Sequence, residues 1–258
     1  TLGVLNFAHG ALFMLGAYAI FVVMQATGSF LLGVLVGCGF MLLIGVVVER
    51  TVVRLFYQRP PEDQILVTFG IAIVLVEAVR AAFGGNAQHV GVPSWGEGVT
   101  QLGFLIYPTY RLDVIGIIAA TLALLWVVLY RTSIGLVVRA GIEDQRMVGI
   151  LGINVRRTFL LVFAIGVVAA GFAGMIYAPI IAVVPDMGDS FLVESFVVIV
   201  IGGLGSFPGA VVGGLIAGEI VSITSAFNSA YSEVMLYAVM ALLLVVRPQG
   251  LFGTEGRV

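Results

Sequence analysis

A chain of 258 residues that is 60% hydrophobic and 10% charged, with a mean hydropathy of +1.16, lies far from the roughly 45–50% apolar and about 25% charged composition of soluble domains. A water-soluble globule is therefore excluded, and the formal net charge of -2 matters less than where the charges fall along the chain. All twelve basic residues are arginine and there is no lysine, so a phosphate-binding G-x-x-x-x-G-K-[ST] loop is excluded and any ATP-driven step belongs to another subunit.

The predicted elements are apolar runs long enough to cross about 30 Å of hydrocarbon, which takes about 20 residues in a helix. The chain is apolar almost from Thr1, so it is expected to open inside or just after a first helix, and no cleavable signal peptide is read there. Runs 11–27 and 30–48 come first, separated by Thr27, Gly28 and Ser29. A charged segment, 49–63, follows, in which Pro60-Pro61 stops any helix. Run 64–83 returns across the bilayer, and the stretch 84–112 is polar and rich in Gly and Pro. Run 113–130 leads to the longest charged loop, 131–157, and run 158–178 follows it.

Between 191 and 224 the pattern changes, because Gly202-Gly203-Leu204-Gly205-Ser206-Phe207-Pro208-Gly209 interrupts two apolar pieces. A 14-residue piece such as 191–204 reaches only about 21 Å as a helix, so this is either an interrupted, half-spanning segment or a tight turn between two helices. The last run, 233–247, ends at Pro248. The fold class expected is all-α, a polytopic transmembrane helical bundle of about seven or eight membrane segments with a glycine-rich interrupted hairpin, forming one domain over 1–258.

Arginine sets the orientation. Arg50, Arg54, Arg59, Arg131, Arg139, Arg146, Arg156, Arg157, Arg247 and Arg257 fall on one side of the alternation, leaving Arg80 and Arg111 near the other. Loops 49–63 and 131–157 and the C-terminus are expected in the cytoplasm, with 84–112 outside. Glycine is abundant within the helices, and Gly209, Gly213, Gly214 and Gly218 form two successive G-x-x-x-G patterns, suited to close packing within the subunit or to a subunit interface.

Polar chemistry is sparse. Cys38 sits in an apolar run and reads as a packing residue, while His9 and His89 are isolated, so neither a metal site nor a disulfide framework is readable. Ionisable residues within the spans are costly and mark the protein interior or a water-filled path. Glu77, Glu194 and Glu219 meet that description, with Arg80 three residues from Glu77 and able to pair with it. Gly203 and Gly205, in the broken segment, join them as candidate path residues, because interrupted helices expose backbone groups to a substrate's charged ends. Asn6 and His9 read as interfacial caps or packing groups, or as part of the same path. An ion-coupled secondary transporter would use one of the three glutamates as its titrating group, and no cluster supports an intramembrane enzyme.

Loop 139–154 carries most information. Glu143 and Asp144 precede Met147, Val148, Ile150 and Leu151, as in a short helix with acidic residues at its N-terminus. Such a helix can dock into a partner's groove through apolar anchors, with Glu143, Asp144 and Arg146 setting register. The loop resembles the coupling segment of the branched-chain amino acid permeases of bacterial ABC importers, R-A-x-x-x-D-x-x-M-A-x-x-x-G-I-N, with Val148 in the alanine position. Asn6-Phe7-Ala8-His9-Gly10 is similar to that family's N-F-A-H-G, residues 202–210 to its G-G-x-G-S-x-P-G-A, and Arg247-Pro248-Gln249-Gly250-Leu251-Phe252-Gly253 to its closing R-P-x-G-L-F-G.

The resemblance implies a non-enzymatic permease subunit of an ATP-driven importer in the bacterial inner membrane, starting after the family's first helix. It implies a second homologous permease, cytoplasmic ATP-binding subunits that hold the ATP, and a periplasmic substrate-binding protein, with no cofactor in this chain and no nucleic acid. Glu143, Asp144, Arg146, Met147, Gly149, Ile150 and Gly152 would couple to the ATPase. The implied substrates are leucine, isoleucine and valine, with urea or short amides as the rival.

Overall fold

The computed structural model describes residues 6–57, 59–103, 105–143 and 145–253. In chain order, α1 (His9–Thr27), α2 (Phe30–Thr51) and α3 (Pro61–Phe83) precede a hairpin of β1 (Val99–Leu102) and β2 (Leu105–Pro108). There follow α4 (Thr109–Arg131), α5 (Ser133–Glu143), α6 (Gln145–Ile150), α7 (Val155–Tyr177), α8 (Met187–Gly202), α9 (Phe207–Asn228) and α10 (Ser232–Val246).

Local chemistry sets these boundaries. Gly28, at φ 68°, ends α1 by donating its N–H to the Met24 carbonyl, and Ser29 caps α2 by accepting from Leu32. Pro61 does not merely stop a helix but begins one, since its missing N–H costs nothing in the first turn. Ser206 caps α9, with Pro208 in that helix's first turn. Six stretches among the described residues are long and apolar enough to span a membrane: 9–27, 30–55, 61–83, 109–131, 156–177 and 207–246. The last holds both α9 and α10 and would run about 60 Å if continuous, twice the hydrocarbon thickness, but it folds back at 229–231. The short α8, 16 residues, measures about 24 Å.

The chain divides into two compact units, Leu2–Asp189 and Ser190–Val258. In the first, α1, α2 and α7 form the core, where Leu12, Met14, Tyr18, Ile20, Met41, Val167 and Met175 are fully buried. Glycine sets the spacing: a Cβ on Gly16 would collide with the Gly171 backbone, and one on Gly171 would meet Met41. With lipid as the solvent, apolar burial gains little, and such close approach supplies the dispersion contacts that hold helices together. α3 joins through Phe83, whose ring lies 4.9 Å from that of Tyr18. α4 joins through Tyr110, whose hydroxyl donates to the Ile176 carbonyl at 2.7 Å.

Among the described residues, one strand pair interrupts the helices. Val99 pairs with Pro108 and Leu102 with Leu105, and the chain turns at Gly103, φ 65°. β-forming residues flank that turn, so part of the Gly- and Pro-rich stretch between α3 and α4 folds as a hairpin.

In the second unit, Val197, Ile201, Ala217 and Leu236 form the core contributed by α8, α9 and α10. α8 and α9 are antiparallel neighbours, because a Cβ on Gly209 would strike the Gly202 carbonyl and one on Gly213 the Val198 carbonyl. Gly203 (φ 102°) and Gly205 (φ 83°) make the turn between them. The closing segment folds onto this turn: Leu251 N–H donates to Ile201 and Phe252 N–H to Gly202, each at 2.9 Å. These bonds satisfy carbonyls left open at the C-terminus of α8.

Candidate functional site

The corner joining α4, α5, α6 and α7 is built residue by residue. Thr132 leaves the helical conformation after α4, and its hydroxyl donates to Val128 at 2.6 Å. Gly135 allows the α5 backbone to lie on the Leu129 carbonyl, where any Cβ would clash. The Arg139 guanidinium donates to that same carbonyl and lies 5.2 Å over the Tyr130 ring. A cation at the C-terminal end of α4 is favoured by the helix dipole as well as by the ring. Arg131 stacks in the same way 5.5 Å over Trp126, so two arginines and two aromatic rings close this end of the span.

α6 then stops sharply. Ile153 N–H donates to Val148 (3.4 Å) and Gly152 N–H to Gly149 (3.1 Å), with Gly152 at φ 79°. That is a Schellman stop, which requires a left-handed residue where Gly152 sits. Two residues on, the Asn154 side chain accepts from Arg157 N–H at 3.1 Å and starts α7. The Gly152-Ile153-Asn154 sequence thus ends one helix and caps the next.

This scaffold sorts the apolar residues of α6 and Leu151 just after it. Val148 is 4% exposed and faces inward, whereas Met147, Ile150 and Leu151 are 56%, 79% and 70% exposed. Positions i, i+3 and i+4 share a helix face, so the three form one apolar patch. Gly149 has no atom within 4 Å of where a Cβ would sit. Asp144 and the side chains of Glu143 and Arg146 lie outside the described residues.

The other sequence-derived candidates are dispersed. The Asn6 side chain accepts from Ala8 N–H at 3.0 Å, and Phe7 N–H donates to Thr68 on α3 at 3.2 Å. His9 opens α1 and is exposed. Glu77 pairs with Arg80 at 2.7 Å, and Arg80 also binds Asp186, tying α3 to the segment before α8. In the second unit, Glu194 and Glu219 are both exposed. Glu219 lines an apolar hollow of about 400 Å³ with Leu215, Ile220, Ile223 and Met235. No hydrogen bond or ion pair joins Glu194 to Glu219 among the described residues. Gly203 is buried in the turn against Gly250 and Gly253, and Gly205 is exposed.

One residue escaped sequence reasoning. Glu49, placed there in a cytoplasmic loop, lies within α2 and is 2% exposed. Its signal was present: the buried face of α2 runs Gly33, Gly37, Met41, Gly45, Glu49, so the carboxylate continues a strict four-residue stripe. Its described partner is the Tyr57 hydroxyl, which donates to Oε1 at 3.2 Å.

Six stretches long and apolar enough to cross a bilayer, joined by short turns and a polar corner between α4 and α7, are those of a multi-pass membrane protein. The family model for the branched-chain amino acid transport system / permease component matches residues 1–244, and the chain belongs to that family. The high-affinity branched-chain amino acid transport system permease protein LivH of Escherichia coli is 32% identical over 98% of this chain and 86% of its own length. The permease protein BraD of Pseudomonas aeruginosa is 26% identical over 98% of the chain and 87% of its own. LivM of Escherichia coli is 33% identical, but over 48% of this chain and 29% of LivM. No solved structure matches.

Proposed function

We propose that this chain is one of two membrane-spanning subunits of an ATP-driven importer that takes branched-chain amino acids from a periplasmic binding protein. The observation that carries the reading is the α6 patch. Met147, Ile150 and Leu151 stand exposed on a corner held by Arg139 and the Gly152 stop. An exposed apolar helix face of that kind suits docking into a groove on a partner. The partner class is a cytoplasmic ATPase, because this lysine-free chain has no P-loop of its own. Similarity to LivH over its length, and to LivM over part of it, supports a second, homologous permease as the other half of the pathway. ATP binding would close the ATPase pair, and differential contacts with α6 in the two states would shift the helices between inward and outward access.

The test is reconstitution with the neighbouring-operon permease, ATPase and binding proteins in liposomes. The expected result is a stable complex whose ATP hydrolysis rises with leucine-loaded binding protein and which accumulates leucine. Stimulation by urea or a short amide instead would move the substrate class. Uptake by this chain alone, driven by an ion gradient, would overturn the importer reading.

A further inference from the structure

Beneath the coupling corner lies a buried carboxylate that no step above uses. Glu49 ends the glycine stripe of α2, where it is 2% exposed. No salt bridge reaches it among the described residues, and its neighbours Arg50 and Arg54 are exposed. A buried carboxylate is costly unless hydrogen-bonded, and Tyr57 supplies the bond from the elbow between α2 and α3. Burial first, and then the Glu49 charge, push the Tyr57 hydroxyl above the usual tyrosine range, so it remains a donor.

The tyrosine also reaches the corner. Its ring meets Phe159 of α7 edge-on, with centroids 5.3 Å apart and planes at 74°. Phe159 is buried in turn, and its ring edge lies 3.6 Å from where a Cβ on Gly141 of α5 would be. The side-chain path therefore runs from α5 through Phe159 and Tyr57 to Glu49, and so into the α1–α2–α7 core.

We infer that Glu49 and Tyr57 are a positioning pair that couples displacement of α5 to α2 as well as to α7, so that the core helices move together when the ATPase closes. Without the hydrogen bond, Tyr57 keeps its ring contact but the side-chain link to Glu49 is lost, and α5 then reaches α2 only through the packing of α7 on α2. This rests on the importer reading.

The experiment uses the full reconstituted complex and reads the amount of leucine accumulated per ATP hydrolysed. Tyr57→Phe is expected to lower that ratio by about fivefold or more, the low end of coupling between sites, while the complex still assembles. Glu49→Gln keeps a carbonyl acceptor for the tyrosine and should stay within about twofold of wild type, a rescue that a purely structural role for the charge would not give. Glu49→Ala combined with Tyr57→Phe should be no worse than the more impaired single variant. A wild-type ratio in Tyr57→Phe, or additive losses in the double variant, would overturn the inference while leaving the importer intact. Should Glu49→Ala fail to assemble, the contrast between Tyr57→Phe and Glu49→Gln decides, with equal ratios counting against the pair. A wild-type complex without ATP-dependent uptake would remove both readings.

Discussion

Gly149 and Gly152 lie three residues apart in the same short motif, yet they are glycine for different reasons. Gly152 holds φ 79°, a backbone conformation that costs an L-residue roughly 1–2 kcal/mol, and its N–H closes the α6 stop. Gly149 has ordinary helical geometry and open space around it within this chain. That space adjoins exposed Ile150 on the proposed docking helix, so a side chain there would meet the partner rather than its own fold. Gly149→Phe is therefore expected to leave the thermal midpoint of the purified permease unchanged in detergent, yet abolish the stimulation of ATP hydrolysis by loaded binding protein. Gly152→Val should lower the midpoint itself. If Gly149→Phe retained stimulation, this end of α6 would not be in the docking surface.

Among the elements, the α8–α9 hairpin shows why small residues recur without all doing the same thing. A Cβ on Gly209 or Gly213 would strike α8 backbone, one on Gly214 would meet the Val198 side chain at 3.6 Å, and one on Gly218 would have no atom within 4 Å. Gly213→Val must push the hairpin apart, an overpacking that costs about 1–3 kcal/mol, whereas Gly218→Val leaves this chain's own packing alone. Melting of the two variants in detergent should separate them, with Gly213→Val lower; equal midpoints would mean that the hairpin contact contributes little. From the sequence, the G-x-x-x-G patterns announced close packing without saying which glycines bear it, because repeat spacing carries no information about the facing helix. Span boundaries were legible where a capping residue interrupted an apolar run, as at Ser29, whereas Pro61, expected to stop a helix, opens α3 three residues before the apolar run itself. Long-range polar partners were not: Arg80 was expected to bind Glu77, three residues away, but Asp186, 106 positions along the chain, can only be found by folding it. Glu49 falls between these cases, readable from a four-residue stripe yet hidden by the charged segment that follows it.

For the whole molecule, arginine distribution and helix order must agree on which side the corner between α4 and α7 lies. The turn at Gly28–Ser29 separates α1 from α2, the α2–α3 elbow carries Arg50, Arg54 and Arg59, and α5 and α6 lie between spans α4 and α7. A spanning α3 and α4 then put the strand hairpin on the face opposite both the elbow and the corner. Positively charged loops stay in the cytoplasm, so on the proposed reading the corner with Arg131, Arg139, Arg146, Arg156 and Arg157 would lie there. A reporter enzyme active only outside the cytoplasm should accordingly be active when fused near Gly98, ahead of β1, and silent near Gln145, at the start of α6. The outcome bears on mechanism as much as on topology. A reversed pattern would put Met147, Ile150 and Leu151 on the side where no ATP-bound partner can reach them. The apolar patch would then need a periplasmic occupant, and the proposed route from ATPase closure through α5 and Phe159 to Glu49 would have no source of motion.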